Sequence, residues 1–329
     1  MRPNDKSGFK LNIPTLKILG YRLGLPPELI IATSQVAGRY YDPFYLTRDP
    51  PPFPKKPIQI KKRKIDKSIL VVKAIQKRIN SRLLRDLQLP SHICGGVKKK
   101  SLLDNVTPHL GASVIVTLDI RNFFRQISPF QVYQVWNELL GCAPQVAAVL
   151  TRLTTFENHL PQGGPTSSAL ANLVLFSLDE SIRNYCQAHG VFYTTWIDDL
   201  AFSGAESRSV INIAVLALRA GGFSLPHKKL RIMRAGERMM LTGVLVGKQP
   251  GVAREYVSQT RSGIHKLLTG HVLEGELETY GKRLMGRIAH IRRLNPSRAR
   301  HLEKQLVAAL EYTLRKSDLE FGANKISQS

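Results

Sequence analysis

Acidic side chains are scarce in this chain, 24 Asp+Glu against 48 Lys+Arg, so a carboxylate that ends an apolar run stands out. Three do so. Asp119 closes Val114-Ile115-Val116-Thr117-Leu118, and Asp198-Asp199 lie between Val191–Trp196 and Leu200-Ala201-Phe202-Ser203. A carboxylate in apolar surroundings must be paired, protonated or metal-bound, because desolvating a lone charge is costly. Adjacent aspartates repel unless a cation lies between them. Hard oxygen ligands without His or Cys favour Mg²⁺ or Mn²⁺ over zinc. Two such ions would activate an attacking hydroxyl and stabilise a leaving oxygen. Taken alone, the Asp198-Asp199 pair also reads as an ordinary acidic turn.

The elements that must carry these residues follow from hydrophobic periodicity. Strands are expected at Val114–Leu118 and Val191–Trp196, the second entering a hairpin with carboxylates at its turn, and Met239–Val246 is strand-like. Helices are expected over 68–88, 129–153, 167–190 and 210–221, and from about 255 onward. Residues 55–100 hold fifteen Lys/Arg and two Asp. Within them Ile58, Ile60 and Ile65 flank a basic run that suits a β-ribbon. The helix behind places Leu70, Val71, Ile75, Ile79 and Leu83 on one face and cations on the others. Asp49-Pro50-Pro51-Pro52-Phe53-Pro54 is stiff and extended and reads as a boundary.

The chain has 329 residues and a formal net charge of +24. That length carries a real core, and 43% hydrophobic residues exclude a disordered chain. A pI near 10.2 makes a polyanion the expected partner, nucleic acid before membrane. No apolar run of about 18 residues and no hydrophobic signal core occur, so no membrane partner is expected. Cys94, Cys142 and Cys186 have neither disulfide nor zinc spacing, and a reducing, cytoplasmic location is expected.

Three segments occur in order: Leu118-Asp119-Ile120-Arg121-Asn122-Phe123-Phe124, Pro161-Gln162-Gly163-Gly164-Pro165-Thr166-Ser167-Ser168, and Trp196-Ile197-Asp198-Asp199. Together the sequence resembles the palm motifs of reverse transcriptases. Asn105-Val106-Thr107-Pro108-His109, Leu241-Thr242-Gly243, Gly95-Gly96-Val97 and the Gly286-to-Pro296 stretch are similar to elements of the bacterial retron group. The resemblance spans roughly residues 55–300. It implies an α+β, right-hand polymerase fold of fingers, an antiparallel palm and a helical thumb. It divides the chain into an N-terminal extension (1–54), fingers and palm (55–240) and an RNA-binding thumb (241–329).

By the same resemblance Asp119, Asp198 and Asp199 bind two Mg²⁺ ions, with Mn²⁺ as the other candidate. Phe124 becomes a steric gate against a 2′-hydroxyl, or else a core ring beside Phe123. Gln162 and Gly163 floor the incoming base pair, Arg63 holds the triphosphate, and Lys229 (or Lys228) lies near the leaving pyrophosphate. Asn105, His109, Thr242, Gly243, Arg287, Arg292 and Arg293 fall on the RNA-binding side, although His109 reads equally as a buried structural histidine. Trp196 replaces the usual Tyr, Ile197 a smaller residue, Ser168 a proline and Val106 an alanine. The implied partners are a structured non-coding RNA serving as template and primer, its DNA product, dNTPs and an effector protein in antiphage defence. Two other readings stay open: another defence-associated reverse transcriptase lineage, and an RNA-binding scaffold with a decayed site.

Overall fold

The computed structural model describes residues 9–47, 62–224 and 230–326, with the side chains of Glu274 and 314–326 left aside. The chain forms two compact units, 1–242 and 243–329. No described helix is long and apolar enough to cross a membrane.

The first unit opens with helices α1 (Leu16–Leu23) and α2 (Pro27–Gln35). Strand β1 (Tyr41–Thr47) then pairs antiparallel with β2 (Lys62–Ser68), setting Leu46 opposite Arg63 and Tyr45 opposite Lys64. This is the basic ribbon, displaced from its expected centre; Ile58 and Ile60 lie outside the described residues. Residues 9–47, expected as part of an extension, share the main core. Phe9, Ile13, Leu19, Leu23 and Ile30 are buried in it. Ala143 N donates to Ile13 O at 2.9 Å.

Helix α3 (Leu70–Ile79) continues into a π turn over 80–84, and α4 (Leu102–Val106) precedes β3 (Val114–Asp119). Next come α5 (Phe123–Gln126), α6 (Pro129–Gln134) and α7 (Pro144–Thr154). The single helix expected over 129–153 is thus broken. Gly141 adopts a left-handed φ of +70° and Pro144 starts a new helix, where its missing N–H costs nothing. The helix expected over 167–190 likewise divides into α8 (Ser167–Leu178) and α9 (Glu180–Ala188). The break is Asp179, whose buried carboxylate takes Arg183 Nε at 2.7 Å and His92 Nε2 at 3.0 Å. Helix α8 is buried on nearly every face, as its apolar sequence demands.

Strands β4 (Phe192–Trp196) and β5 (Asp199–Ser203) follow, then α10 (Val210–Ala220), β6 (Leu230–Arg234) and β7 (Met240–Leu241). The palm-like sheet is antiparallel with order β4-β5-β3-β6. Register partners share a face of a pleated sheet. Val116, Leu118, Leu200, Phe202 and Tyr193 therefore face one way, into the same apolar cluster as α8. Asp119 and Asp199 face the other.

The second unit contains the hairpin β8 (Val244–Val246) and β9 (Pro250–Val252) and three helices: α11 (Arg254–Leu268), α12 (Leu277–Leu294) and α13 (Pro296–Ile326). Val257, Ile264, Leu284, Ile288, Leu302 and Leu306 form their shared core. Gly263 permits close packing, since a Cβ there would lie 2.7 Å from Leu284 Cδ2.

Candidate active site

Strands β4 and β5 join through Ile197 and Asp198, a two-residue loop between the partners Trp196 and Asp199. Ile197 has φ +59°, a left-handed backbone that β-branched residues rarely adopt. Its surroundings hold it there. A Cβ on Gly95 would lie 2.6 Å from Ile197 N, and one on Gly96 would lie 2.9 Å from Ser168 Cβ. The same segment runs along β4, with Thr195 N donating to His92 O at 2.8 Å and Cys94 N to Thr195 O at 2.9 Å. Asn172 Nδ2 fixes it from α8 by donating to Gly95 O at 2.8 Å. Gly95-Gly96 is therefore the bed of the acidic hairpin.

Asp119 is the register partner of Asp199, and Ile120 N donates to Asp198 O at 3.0 Å. Facing residues in such a ladder have Cα atoms about 4.5–5.5 Å apart. All three aspartates are partly exposed at one end of the sheet. The structure thus brings together residues far apart in sequence. Among the described residues no three His, Cys, Asp or Glu side chains are gathered closely enough to hold a metal ion. The ladder sets the Asp119 and Asp199 backbones side by side. In kind the donors fit a hard divalent cation, being oxygen alone.

A cavity of about 440 Å³ opens beside Asp198. Arg63 of β2, Phe124 of α5 and Gln162 line it together, as do Lys62, Lys64 and Arg125, so four cations face one carboxylate. The path from β3 explains Phe124. After Asp119 the chain turns through Asn122 at φ +47° into α5. Phe123 goes into the core against Phe223, ring centroids 5.3 Å apart, while Phe124 stays half-buried at the cavity wall. Gln162 O accepts Asp66 N at 2.9 Å, tying the ribbon to the turn ahead of α8. Gly163, at φ +114°, lies under Ile65: a Cβ would sit 2.8 Å from Ile65 Cγ2. Tyr45, Lys64 and Arg125 were not singled out from sequence. Lys64 stood in the basic run and Arg125 follows the double Phe, but Pro43 masked the strand that presents Tyr45.

His109 and Asn105 lie inside the first unit. Both are buried, at 0% and 2% exposure, as the structural reading of His109 expects. His109 Nδ1 lies 2.7 Å from Ser203 Oγ and Nε2 lies 2.8 Å from Thr194 Oγ1. The Thr194 hydroxyl donates to Asn105 O at 3.3 Å, so it accepts from the imidazole Nε2–H and Nδ1 accepts from Ser203. Burial pushes the His109 pKa down to about 4, keeping the ring neutral. Asn105 Nδ2 donates to Thr242 Oγ1 at 3.4 Å. This network ties α4 and the turn after it to β4 and β5.

Gly243, φ +87°, opens the second unit. There Arg287 stacks on Tyr256, its guanidinium 4.0 Å from the ring centroid, and donates to Thr260 Oγ1 at 3.0 Å. Arg292 pairs with Glu303 at 2.6 Å, and Arg293 is exposed. Lys228 and Lys229 lie outside the described residues.

An antiparallel sheet backed by helices and bordered by a cationic ribbon fits an α+β fold of the right-hand class. Residues 53–258 match the profile of the family described as reverse transcriptase (RNA-dependent DNA polymerase). The chain belongs to that family. It is similar to the Retron Ec86 reverse transcriptase of Escherichia coli, 31% identical over 209 residues covering 62% of this chain and 65% of that one. The Retron Mx65 reverse transcriptase of Myxococcus xanthus is 30% identical over 255 residues, covering 71% and 58%. The chain thus spans less than two thirds of either relative's length. A solved apo telomerase from Candida Tropicalis, truncated from its C-terminal domain, overlays 66% of this chain and 57% of its own, with TM-score 0.42 and 10% identity.

Proposed function

We propose that this protein is a retron-type RNA-directed DNA polymerase, which copies part of a bound structured non-coding RNA into single-stranded DNA. One observation carries the reading: Asp119 faces Asp199 across β3 and β5, with Asp198 opening onto a cavity that gathers Arg63, Phe124 and Gln162. Asp119, Asp198 and Asp199 are the residues that would hold divalent cations, two Mg²⁺ by preference. When bound, such ions lower the pKa of an attacking hydroxyl and offset charge on a leaving oxygen. The chain's own residues do the rest. Arg63 and its neighbouring cations take the triphosphate of a dNTP, because charge on non-bridging oxygens needs fixed positive partners. Phe124 closes the sugar pocket against a 2′-hydroxyl, and Gln162 with Gly163 supports the base pair. Lys229 is assigned to the pyrophosphate side.

The second unit supplies the RNA surface through exposed Arg293 and its neighbours, where backbone charge and 2′-hydroxyls are read. Arg287 and Arg292, each with a protein partner, shape that surface, and Thr242-Gly243 leads the chain into it. The divisions 1–54, 55–240 and 241–329 remain our assignment of extension, fingers with palm, and thumb. Three buried, unpaired cysteines support a cytoplasmic setting. A role in antiphage defence with an effector protein completes the reading.

The test is extension of oligo(dT) on poly(rA) by dTTP with Mg²⁺. Asp198→Asn/Asp199→Asn should lower the rate by at least about a thousandfold with the fold intact. Persistent synthesis by that variant overturns the assignment. Sequencing nucleic acid that copurifies with the protein should return DNA covalently joined to RNA.

A further inference from the structure

The cavity wall rests on a group of charges that none of the motifs includes. Asp66 of β2 is fully buried. Its Oδ2 lies 3.0 Å from His159 Nε2. Its Oδ1 has no hydrogen-bond partner in the structure. That oxygen instead faces two cations, Lys64 Nζ at 3.8 Å and Arg125 Nη2 at 4.0 Å. Both cations line the cavity. Lys64 Nζ is held from its other side, donating to Glu157 Oε2 at 3.0 Å. Glu157 and Asn158 adopt φ of +46° and +60°, a tight turn closed by hydrogen bonds between Phe156 and His159. That strained turn aims Glu157 and His159 at β2 from one side, while Arg125 arrives from α5.

A buried carboxylate is tolerated only with compensating partners. Here His159 and Arg125 come from segments distant in sequence, Lys64 lies two residues away on the same strand, and Lys64 and Arg125 border the cavity. We infer that Asp66 is a positioning residue: it holds Lys64 and Arg125 in place for the anionic end of a nucleoside triphosphate and touches no ligand itself. The inference rests on the nucleotide-binding reading of the cavity given above. A lysine samples many rotamers, and fixing it in advance removes that ordering cost from binding. The Asp66 charge taken alone would repel a triphosphate, so positioning and field predict opposite signs when the charge is removed.

The experiment is steady-state incorporation of dTTP on poly(rA)·oligo(dT) by wild type, Asp66→Asn, Lys64→Gln and the double variant. Asp66→Asn should raise the KM for dTTP by about fivefold, the worth of a partly screened ion pair, with kcat changed less than about twofold. In the Lys64→Gln background the same change should have about half that effect or less, because part of the route to the ligand is gone. An unchanged or lower KM, or equal effects in both backgrounds, overturns the inference. Should Asp66→Asn fail to fold, Glu157→Gln on the exposed side of Lys64 should raise the KM by about twofold, and an unchanged value is equally fatal. A wild-type protein that extends no primer strikes the polymerase reading itself, and needs no variant to show it.

Discussion

Replacing the buried histidine between α4 and the sheet by glutamine gives a sharp test of the structure. His109 is fully enclosed, with its pKa depressed from 6.5 to about 4 by desolvation. A depressed pKa means that the unfolded chain binds the proton more readily. The histidine's contribution is therefore intact above about pH 6.5 and is lost as pH falls toward 4. At about pH 5 the loss comes to about 2 kcal/mol relative to neutral pH, with a slope close to one proton between about pH 4.5 and 6. His109→Gln keeps a donor for Thr194 and cannot titrate. Both tryptophans, Trp136 and Trp196, belong to the first unit, so urea unfolding followed by their fluorescence reports on that unit. The variant should be weaker at neutral pH by about 1 kcal/mol through the lost Ser203 contact. It should then lose about 2 kcal/mol less than wild type on acidification to about pH 5. Parallel stability curves for the two proteins would refute the burial argument.

Other substitutions probe the hairpin, the floor and the gate. Gly95→Ala forces a Cβ to 2.6 Å from Ile197 N, which is backbone and cannot swing aside; single-turnover primer extension should slow by about tenfold or more. Gly163→Ala combines a positive φ with a clash on Ile65 and should lower first-unit stability by about 1–2 kcal/mol in urea titrations. Phe124→Val opens the half-buried cavity wall and should raise incorporation of UTP relative to dTTP by about tenfold, measured in competition on poly(rA).

Much of the candidate site is legible because its residues are chemically out of place where they stand. Asp119, Asp198 and Asp199 interrupt apolar strands, and Gln162-Gly163 sits in a turn that needs glycine. Helix breaks were harder: Gly141 and Pro144 carry ordinary stop-and-start signals, but the apolar period running through them masks the gap. Whether His109 faces solvent or core depends on Ser203 and Thr194, residues that only the folded sheet brings beside it. The same holds for Asp66. Nothing local marks a carboxylate in a lysine-rich strand as buried, since its enclosure comes from His159 and from the turn behind it. Strand β1 escaped notice because Pro43 argues against a strand, and only an edge position next to β2 tolerates it.

The order β4-β5-β3-β6 has a kinetic implication. Strand β3 can pair with neither neighbour until the long helical stretch that follows it has been synthesised and compacted. Local helices close quickly, whereas remote strand pairing bears the full entropy of a large loop. Asp119 and Asp199 therefore come face to face only after the apolar platform of α8 has been synthesised.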